Sequence, residues 1–290
     1  MKQWQVKVNE GQGGERIDKF LASRIPELSR THIAFLIRER QVTVNGKPVT
    51  ESKYKIVAGG IIIVIDKDKG GGPVPDCDVH VPVIYEDEDI IVIDKPYGLI
   101  VHPLGRTTDS VVGALQACGK TLSRVDPSRP GVVHRLDKTT SGLMLLAKNE
   151  TAHYAMVNAF KERRMHKEYV AVVRGTVRER EGTIDIPLMR IPGQPKMKAC
   201  YHDRAKYALT MYRVEREKPP FYMMRLILKT GRMHQLRVHM RCLGAPIVGD
   251  TRYGGMQHNR IMLHACLLSF HQPSTGALLS FSSPVPEVFY

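Results

Sequence analysis

The sequence has no long apolar stretch and no amino-terminal targeting pattern. Among its 290 residues the longest aliphatic run is Ile61–Ile65, whereas a membrane-spanning helix needs about 20 apolar residues. Residues 1–20 are polar and rich in glycine, without the apolar stretch that follows a basic start in a secretory signal. We therefore expect a cytoplasmic protein without a membrane partner.

Cysteine is scarce, and its spacing argues against disulfides and zinc. The cysteines are Cys77, Cys118, Cys200, Cys242 and Cys266, and no two of them form a C-x-x-C pair. This odd, scattered set is typical of reduced, mostly buried thiols in the cytosol. His234 and His239 lie five residues apart, one more than the spacing that places two metal ligands on one helix face. We expect no metal site.

Acidic residues are also few. Lys and Arg total 43 against 29 Asp and Glu, which gives a net charge of +14. The excess runs along the whole chain, because residues 1–72 hold 13 basic and 8 acidic residues and the remainder holds 30 and 21. A charge of this size indicates a polyanionic partner, either a nucleic acid or an anionic membrane surface. A basic protein that has no such partner is the alternative.

The length suits two domains, and a boundary between them is visible. Asp66–Pro75 combines charged residues with three glycines and two prolines, a composition typical of a linker. We predict a small domain over residues 1–72 and a larger one over residues 73–290, joined by a linker at 66–75.

The small domain is predicted to contain two helices and a hairpin. Apolar residues follow a helical period over 17–25, and a second helix is predicted over 30–40. Asn45-Gly46 follows an alternating stretch, which is a strong hairpin signal, and 61–65 forms a further strand. The second helix carries the basic residues Arg30, His32, Arg38 and Arg40. A solvated basic face explains them as well as contact with RNA does.

The larger domain is rich in predicted strands. We predict strands at 84–85, 90–94, 143–148, 166–174, 207–214, 222–228, 266–270 and 278–281, and helices at 109–118, 151–163 and 232–243. This order has too many strands for a doubly wound parallel sheet. We therefore predict an α+β fold: a small helix-hairpin domain, then a mixed, mostly antiparallel β-sheet with flanking helices.

One carboxylate stands out in a polar segment between two apolar stretches. Asp137 lies between Arg135 and Lys138 in the segment Gly131–Lys148. A carboxylate close to fixed cations stays ionised and can serve as a nucleophile. The competing interpretation is a structural turn that contains an Asp cap.

A second segment, Leu228–Arg241, is basic and free of acidic residues. Between Glu217 and Asp250 there are six basic residues and no acidic one. Met233, Leu236, Met240 and Leu243 form an apolar stripe at helical spacing, and His234, Arg237 and Arg241 form a second stripe on another face. This pattern favours phosphate contact, although a solvated helix face would also produce it.

Ala114–Thr121 resembles a phosphate-binding loop, except that Ala114 stands where the first glycine belongs. Because the segment begins as a predicted helix, its backbone amides are already bonded. Nucleotide hydrolysis on this segment is therefore a weak alternative.

Several motifs together resemble one enzyme family. The segments Arg129–Gly142 and Thr230–His239, followed by Leu243–Asp250, resemble the catalytic motifs of RluA/RluD-type pseudouridine synthases, and Lys167–Tyr169 and Asp94–Leu99 match in the family's order. The first 72 residues resemble an S4-like RNA-binding domain through Arg16–Leu21, Leu28–Arg30 and Val44–Gly46. The family usually has Thr or Ser where Met233 stands, and its small domain often has Gly near Arg40.

This resemblance implies an isomerase that breaks the bond between the uracil nitrogen and the ribose, turns the base and rejoins it through carbon 5. It assigns Asp137 to attack or deprotonate the ribose, Arg237 to pair with Asp137, Tyr169 to pack on the target base, and Arg135 to fill the gap that a flipped nucleotide leaves. No cofactor is required.

The resemblance also implies an RNA partner, with large-subunit ribosomal RNA expected and transfer RNA as the alternative substrate. The further candidate RNA contacts are His134, Lys138, Arg232, His234, Arg241, Arg30, Arg38 and Arg40. We expect a monomer. A non-catalytic RNA-binding assembly factor is the competing function, but binding alone needs neither Asp137, Tyr169 nor Arg237.

Overall fold

The computed structural model describes residues 2–26, 28, 30–66, 78–102 and 109–290. The helices are α1 (Ile17–Arg24), α2 (Arg30–Arg38), α3 (Val111–Ala117), α4 (Glu150–Lys161) and α5 (Gln235–Cys242). The strands are β1 (Lys2–Lys7), β2 (Val42–Val44), β3 (Lys47–Pro48), β4 (Ile61–Asp66), β5 (Val83–Glu86), β6 (Ile90–Lys95), β7 (Ser141–Ala147), β8 (His166–Arg174), β9 (Glu181–Asp185), β10 (Leu188–Arg190), β11 (Met197–Ala199), β12 (Leu209–Lys218), β13 (Phe221–Leu228), β14 (Leu263–His271) and β15 (Leu278–Ser282). Asp66 apart, the predicted linker at 66–75 lies outside the described residues, so the domain limits 1–72 and 73–290 stay predictions.

The amino-terminal unit is a sheet covered by two helices. Its antiparallel strands lie in the order β1-β4-β2-β3. Ile62 and Val64 of β4 alternate into a core that they share with apolar residues of α1 and α2. The predicted hairpin is present: Asn45 and Gly46 both have positive φ, at 50° and 76°, as a two-residue turn between strands requires.

The larger unit is built on one mixed sheet. Its described strands lie in the order β5-β6-β7-β14-β8-β13-β12-β9, and β15 pairs with β14. The β7–β14 pair is parallel and the other pairs are antiparallel. The predicted α+β class is confirmed.

Helices cover both faces of this sheet. Ile90 and Val92 pack in one apolar cluster with α4, whereas Ile91 and Ile93 pack in another with α3 and α5. Both faces of β6 and β7 are therefore buried, which explains why these strands are continuous apolar runs. No helix in the described part of the chain is long and apolar enough to span a membrane.

Helix α5 begins three residues later than its periodicity predicts. His234 has a φ of 55°, which a right-handed helix cannot contain, and Met233 is 42% exposed. The predicted membership of Met233 in the buried apolar stripe is therefore wrong. The Gln235 side chain closes the preceding loop, because its Oε1 accepts from the Arg232 backbone N–H at 3.0 Å and from the Thr230 hydroxyl at 2.8 Å.

The cysteines are less buried than predicted. All four that lie in described segments are free: Cys118 and Cys242 are exposed, Cys200 is half-buried and Cys266 is buried. Cys77 lies outside the described residues. The prediction of mostly buried thiols is wrong for this set, since composition does not determine where a small side chain lies in a turn or at a helix end.

Candidate active site

Asp137 lies in a loop that a buried lysine fixes in place. The loop precedes β7, and the Asp137 side chain is 26% exposed. Lys95, at the end of β6, has no exposed surface. Its ammonium group donates to the carbonyls of Pro96 at 2.8 Å, Leu99 at 2.9 Å and Lys138 at 3.4 Å. Because Lys138 follows Asp137 directly, this contact ties the Asp137 loop to β6.

Arg237 of α5 joins Asp137 to a second carboxylate. Its Nη1 donates to Asp137 Oδ2 at 3.3 Å, and its Nε and Nη2 donate to the two oxygens of Asp250 at 2.7 Å each. Burial opposes the charge of this guanidinium, but the bonds to Asp250 and Asp137 raise the pKa of Arg237. Asp250 therefore holds a charged arginine rigidly and leaves one of its N–H groups directed at Asp137.

His234 approaches the same carboxylate from the loop before α5. Its Nε2 lies 3.6 Å from Asp137 Oδ2, and its Nδ1 lies 2.8 Å from the Tyr253 hydroxyl. The Tyr253 oxygen already accepts from the Met197 backbone N–H at 2.9 Å. Burial, together with Arg237 and Arg252, lowers the pKa of His234 against the opposing charge of Asp137. The imidazole is therefore neutral, and a Tyr253 hydroxyl that donates to Nδ1 places its proton on Nε2, facing Asp137.

Tyr169 forms part of the floor of the site. It lies on β8, paired in register with Leu226 of β13 and Ala265 of β14, and it is 7% exposed. Its hydroxyl makes no hydrogen bond to any described residue. Burial raises the pKa of Tyr169, and the charge of Asp137 raises it further. The phenol therefore stays protonated at neutral pH.

The other predicted contacts of the larger unit divide by exposure. Arg135, Lys138 and Arg241 are exposed, whereas Arg232 is half-buried and its Nε donates to the Tyr207 carbonyl at 2.9 Å. These side chains border the Asp137 loop and the two ends of α5.

His134 differs from the others. Its ring stacks on Phe160 at 4.5 Å, and its Nε2 accepts from the Leu145 backbone N–H at 2.9 Å. Burial and the nearby Lys167 charge lower the pKa of His134 to about 3. This nitrogen is therefore already bonded within the domain, and contact of His134 with RNA stays a prediction.

Two of the three predicted RNA-contact residues of the amino-terminal unit already contact other side chains of this unit. Arg30 donates to Asp18, a buried carboxylate that Arg16 also binds. Arg38 packs over the Phe35 ring at 5.7 Å. Arg40 is exposed and has a φ of 57°, at the position where the family often has Gly.

Three residues of the site escaped the sequence analysis as functional candidates: Lys95, Asp250 and Tyr253. Lys95 and Asp250 are parts of the segments Asp94–Leu99 and Leu243–Asp250, whose presence was noted without a role. The available signal for Lys95 was a lysine at the end of an apolar strand. The available signal for Asp250 was the Gly-Asp pair that ends its motif. Among the described residues, no group of three or more His, Cys, Asp or Glu side chains could hold a metal ion.

The chain is similar to known proteins in both of its units. Residues 89–241 match the RNA pseudouridylate synthase family model, and residues 15–62 match the S4 domain. An uncharacterized RNA pseudouridine synthase of Bacillus subtilis is 38% identical over 99% of this chain and 96% of its own length. The solved structure of human RNA pseudouridylate synthase domain containing 1 shares 27% identity, covers 72% of this chain and 85% of that one, and has a TM-score of 0.60.

The chain therefore belongs to the RNA pseudouridylate synthase family and is an RNA pseudouridine synthase, an isomerase with an S4 domain. The ribosomal large subunit pseudouridine synthase D of Escherichia coli K12 is 35% identical over 97% of this chain and 90% of its own length. These matches confirm the predicted enzyme class and the RNA partner.

The segment Ala114–Thr121, which resembled a phosphate-binding loop, begins inside α3. Its Ala114 N–H donates to the Ser110 carbonyl, so this amide is already bonded within the helix.

Proposed function

We propose that this enzyme isomerises specific uridines of large-subunit ribosomal RNA in the cytoplasm, as a monomer, with Asp137, Arg237 and Tyr169 as its catalytic residues. The observation that carries the proposal is the arrangement at Asp137: one partly exposed carboxylate that faces a buried, fixed arginine at 3.3 Å and the His234 imidazole at 3.6 Å. The full-length similarity to the Escherichia coli enzyme named for the ribosomal large subunit supports the substrate class.

The reaction rearranges bonds within one nucleotide. The bond between N1 and C1′ breaks, a bond between C5 and C1′ forms, C5 loses a proton, and N1 gains one. The sum is an isomerisation, so no oxidant or group donor enters. Asp137 acts on the ribose, either by adding to C1′ or by removing a ribose proton. Either role needs the carboxylate to be held in position, which the 3.3 Å contact with Arg237 provides.

The detached uracil has to stay in place while it turns. Recombination exceeds loss to water only if the pocket holds the base close to C1′ and excludes solvent. The ring of Tyr169 packs on the base, because Tyr169 lies on β8 close enough to Asp137 for the charge of that carboxylate to raise the pKa of its phenol. Its hydroxyl, which has no partner among the described residues, is free to take part in moving the C5 proton.

A uridine inside a helix cannot reach this site unless it leaves the stack. Arg135 lies two residues before Asp137 and is exposed, so its side chain can occupy the vacated position. Lys138, Arg232, His234 and Arg241 border the same loop and helix and contact the RNA around it. Arg30, Arg38 and Arg40 supply further phosphate contacts from the domain of residues 1–72, which adds affinity and takes no part in the chemistry.

The test is a map of pseudouridines in total RNA from cells with and without the gene, complemented by the wild type or by Asp137→Asn. Sites in large-subunit ribosomal RNA should disappear without the gene and return only with the wild type. Loss of sites in transfer RNA instead would refute the ribosomal substrate. A map that does not change would favour the non-catalytic assembly factor.

A further inference from the structure

A group of cationic and aromatic side chains lies beside the active site, and most of it has no place in the mechanism above. It consists of Arg163, Lys167, Tyr207 and Arg232, here called the Arg163 surface. The Arg163 guanidinium lies over the Tyr207 ring at 5.2 Å. The Tyr207 carbonyl accepts from Arg232 Nε at 2.9 Å, and Lys167 lies over the Phe160 ring at 5.3 Å. Three separate chain segments thus bring three cations together.

In the part of the chain that the structure describes, no carboxylate neutralises these cations. Within the described residues, Arg163, Lys167 and Arg232 have no ion pair, and the acidic neighbours in sequence are already paired. Glu162 binds Arg164 at 2.7 Å, and Glu168 binds His166 at 2.7 Å and Arg225 at 3.2 Å. Burial lowers the pKa of Lys167 to about 8. Because surface cations usually alternate with anions, this set is suited to an anionic ligand from outside the chain.

Arg163 also occupies a backbone position that favours glycine. Its φ is 60°, and the N–H groups of Arg163 and Arg164 donate to Phe160 and Ala159 in the hydrogen-bond pattern that ends a helix with a left-handed residue. Any side chain beyond Cα is strained there. The exposed Arg163 guanidinium lies over the Tyr207 ring, 5.2 Å from its centroid, and a guanidinium offers N–H groups in the fork geometry that binds two phosphate oxygens.

The Arg163 surface adjoins the reacting groups. Arg232 is two residues from His234, whose Nε2 is 3.6 Å from Asp137. Lys167 is two residues from Tyr169 on β8, and residues two apart on a strand point to the same face. Through Arg232 and Lys167, the Arg163 surface is therefore next to the site that contains Asp137.

We infer that the Arg163 surface binds the phosphodiester backbone of the RNA strand that adjoins the target uridine, with Arg163 as its main anchor. The inference rests on the proposed function, because it takes the polyanion to be the RNA substrate. Tyr207 acts by orienting Arg163, and Arg232 and Lys167 add charge on either side of it.

Two variants distinguish the contribution of the Arg163 guanidinium to RNA binding from the effect of backbone strain at residue 163. Arg163→Ala and Arg163→Gly both remove the guanidinium, but only the Gly variant relieves the left-handed strain. Both should raise the Kd for an unmodified transcript of large-subunit ribosomal RNA by about 3–10-fold and lower the slope of log Kd against log salt by about 0.7–0.9. The Gly variant should melt about 2–4 °C above the Ala variant. Arg164→Ala, the same charge change one residue away, is the matched control and should move neither Kd nor slope.

Equal affinity losses in two variants of unequal stability would identify a direct contact. A loss in the Ala variant that the Gly variant recovers, an unchanged salt slope, or an equal loss in the Arg164 control would overturn the inference. A parallel titration with a single-stranded oligouridylate keeps the two proposals distinct. If the wild type forms no pseudouridine in the transcript while the Arg163 variants still bind the oligouridylate less tightly, the proposed substrate fails and the RNA-binding surface stands.

Discussion

The two carboxylates that bind Arg237 should respond very differently to removal of their charge. Asp250 is 1% exposed and accepts two bonds at 2.7 Å, whereas Asp137 is 26% exposed and accepts one at 3.3 Å. Breaking a buried pair by removing one partner costs about 3–5 kcal/mol, because the other charge stays buried. A partly exposed pair at longer distance contributes less than about 1 kcal/mol. Asp250→Asn should therefore lower the free energy of unfolding by about 3 kcal/mol, and Asp137→Asn by less than about 1 kcal/mol.

Activity should follow the opposite order. Asp137→Asn should abolish turnover while RNA binding survives, because an amide can neither attack the ribose nor deprotonate it. Asp250→Asn should reduce the rate by about 10²-fold. Without the Asp250 charge the Arg237 side chain is free to move, and a displacement of about 1 Å is enough for a rate loss of this size.

The measurements are urea unfolding and single-turnover release of tritium from C5-labelled uridine at saturating enzyme. Asp126→Asn is the control for stability. Asp126 is also buried and is paired with Arg129 at 2.7 Å, but it is not part of the site. This variant should therefore lose stability and keep the wild-type rate. Equal stability losses for the Asp250 and Asp137 variants would refute the unequal pairing. Residual turnover of Asp137→Asn within tenfold of the wild type would remove Asp137 from the chemistry.

Three further outcomes follow from the same structure. Tyr169→Phe should keep its RNA affinity, because the stacking contribution of about 1–3 kcal/mol belongs to the ring. The variant should release tritium about 10²-fold more slowly, because it lacks the hydroxyl that takes part in proton transfer. Equal rates for Tyr and Phe would leave only a packing role. Changing Arg38 to Ala together with Arg40 to Gly should lower the slope of log Kd against log salt by about 1.4–1.8, and an unchanged slope would mean that this basic face stays in solvent. His134 has an ordinary pKa of 6.5 that falls to about 3 in the fold, so the unfolded state binds more protons between these values and stability decreases as the pH falls below 6.5. Between pH 7.5 and pH 5 the loss from this residue should be about 2 kcal/mol, and His134→Asn should show a shallower dependence in thermal unfolding; equal dependence would remove His134 from the acid response.

The regular elements with strong periodicity were predictable from sequence. Strands β6, β8 and β13 and helix α4 lie within a few residues of their predicted limits, because their apolar residues repeat at the period of the structure that buries them. Strands β1 and β9 were missed. Both strands are mostly exposed or half-buried and have few large apolar side chains, with Ile184 as the one buried residue of β9, so their pairing is decided by the neighbouring strand and not by their own composition.

The site was predictable only in part, since its contacts join distant segments. Asp137 was visible as a lone carboxylate between basic residues, and the family resemblance added Tyr169 and Arg237. Asp250 and Tyr253 were missed, because their roles depend on contacts across turns and loops that no local pattern encodes. The Arg237–Asp137 contact spans 100 residues of sequence, a separation at which charge pattern alone cannot select partners.

Helix α5 shows why a basic stripe is an unreliable guide to a solvated face. Its pattern placed His234, Arg237 and Arg241 on one helix face, which favoured phosphate contact and was also compatible with a solvated face, yet Arg237 is 5% exposed and its neighbour His239 is fully buried. His239 is bonded to the Thr210 hydroxyl at 2.9 Å and the Ile186 carbonyl at 3.0 Å. Inside the protein Coulomb attraction is strong and water does not compete, so the enclosed arginine can hold both Asp137 and Asp250 in place. The arginine that matters most for the proposed chemistry is thus the one whose charge is hidden from solvent, whereas Arg241 at the end of the same helix is exposed and available for the proposed contact with RNA.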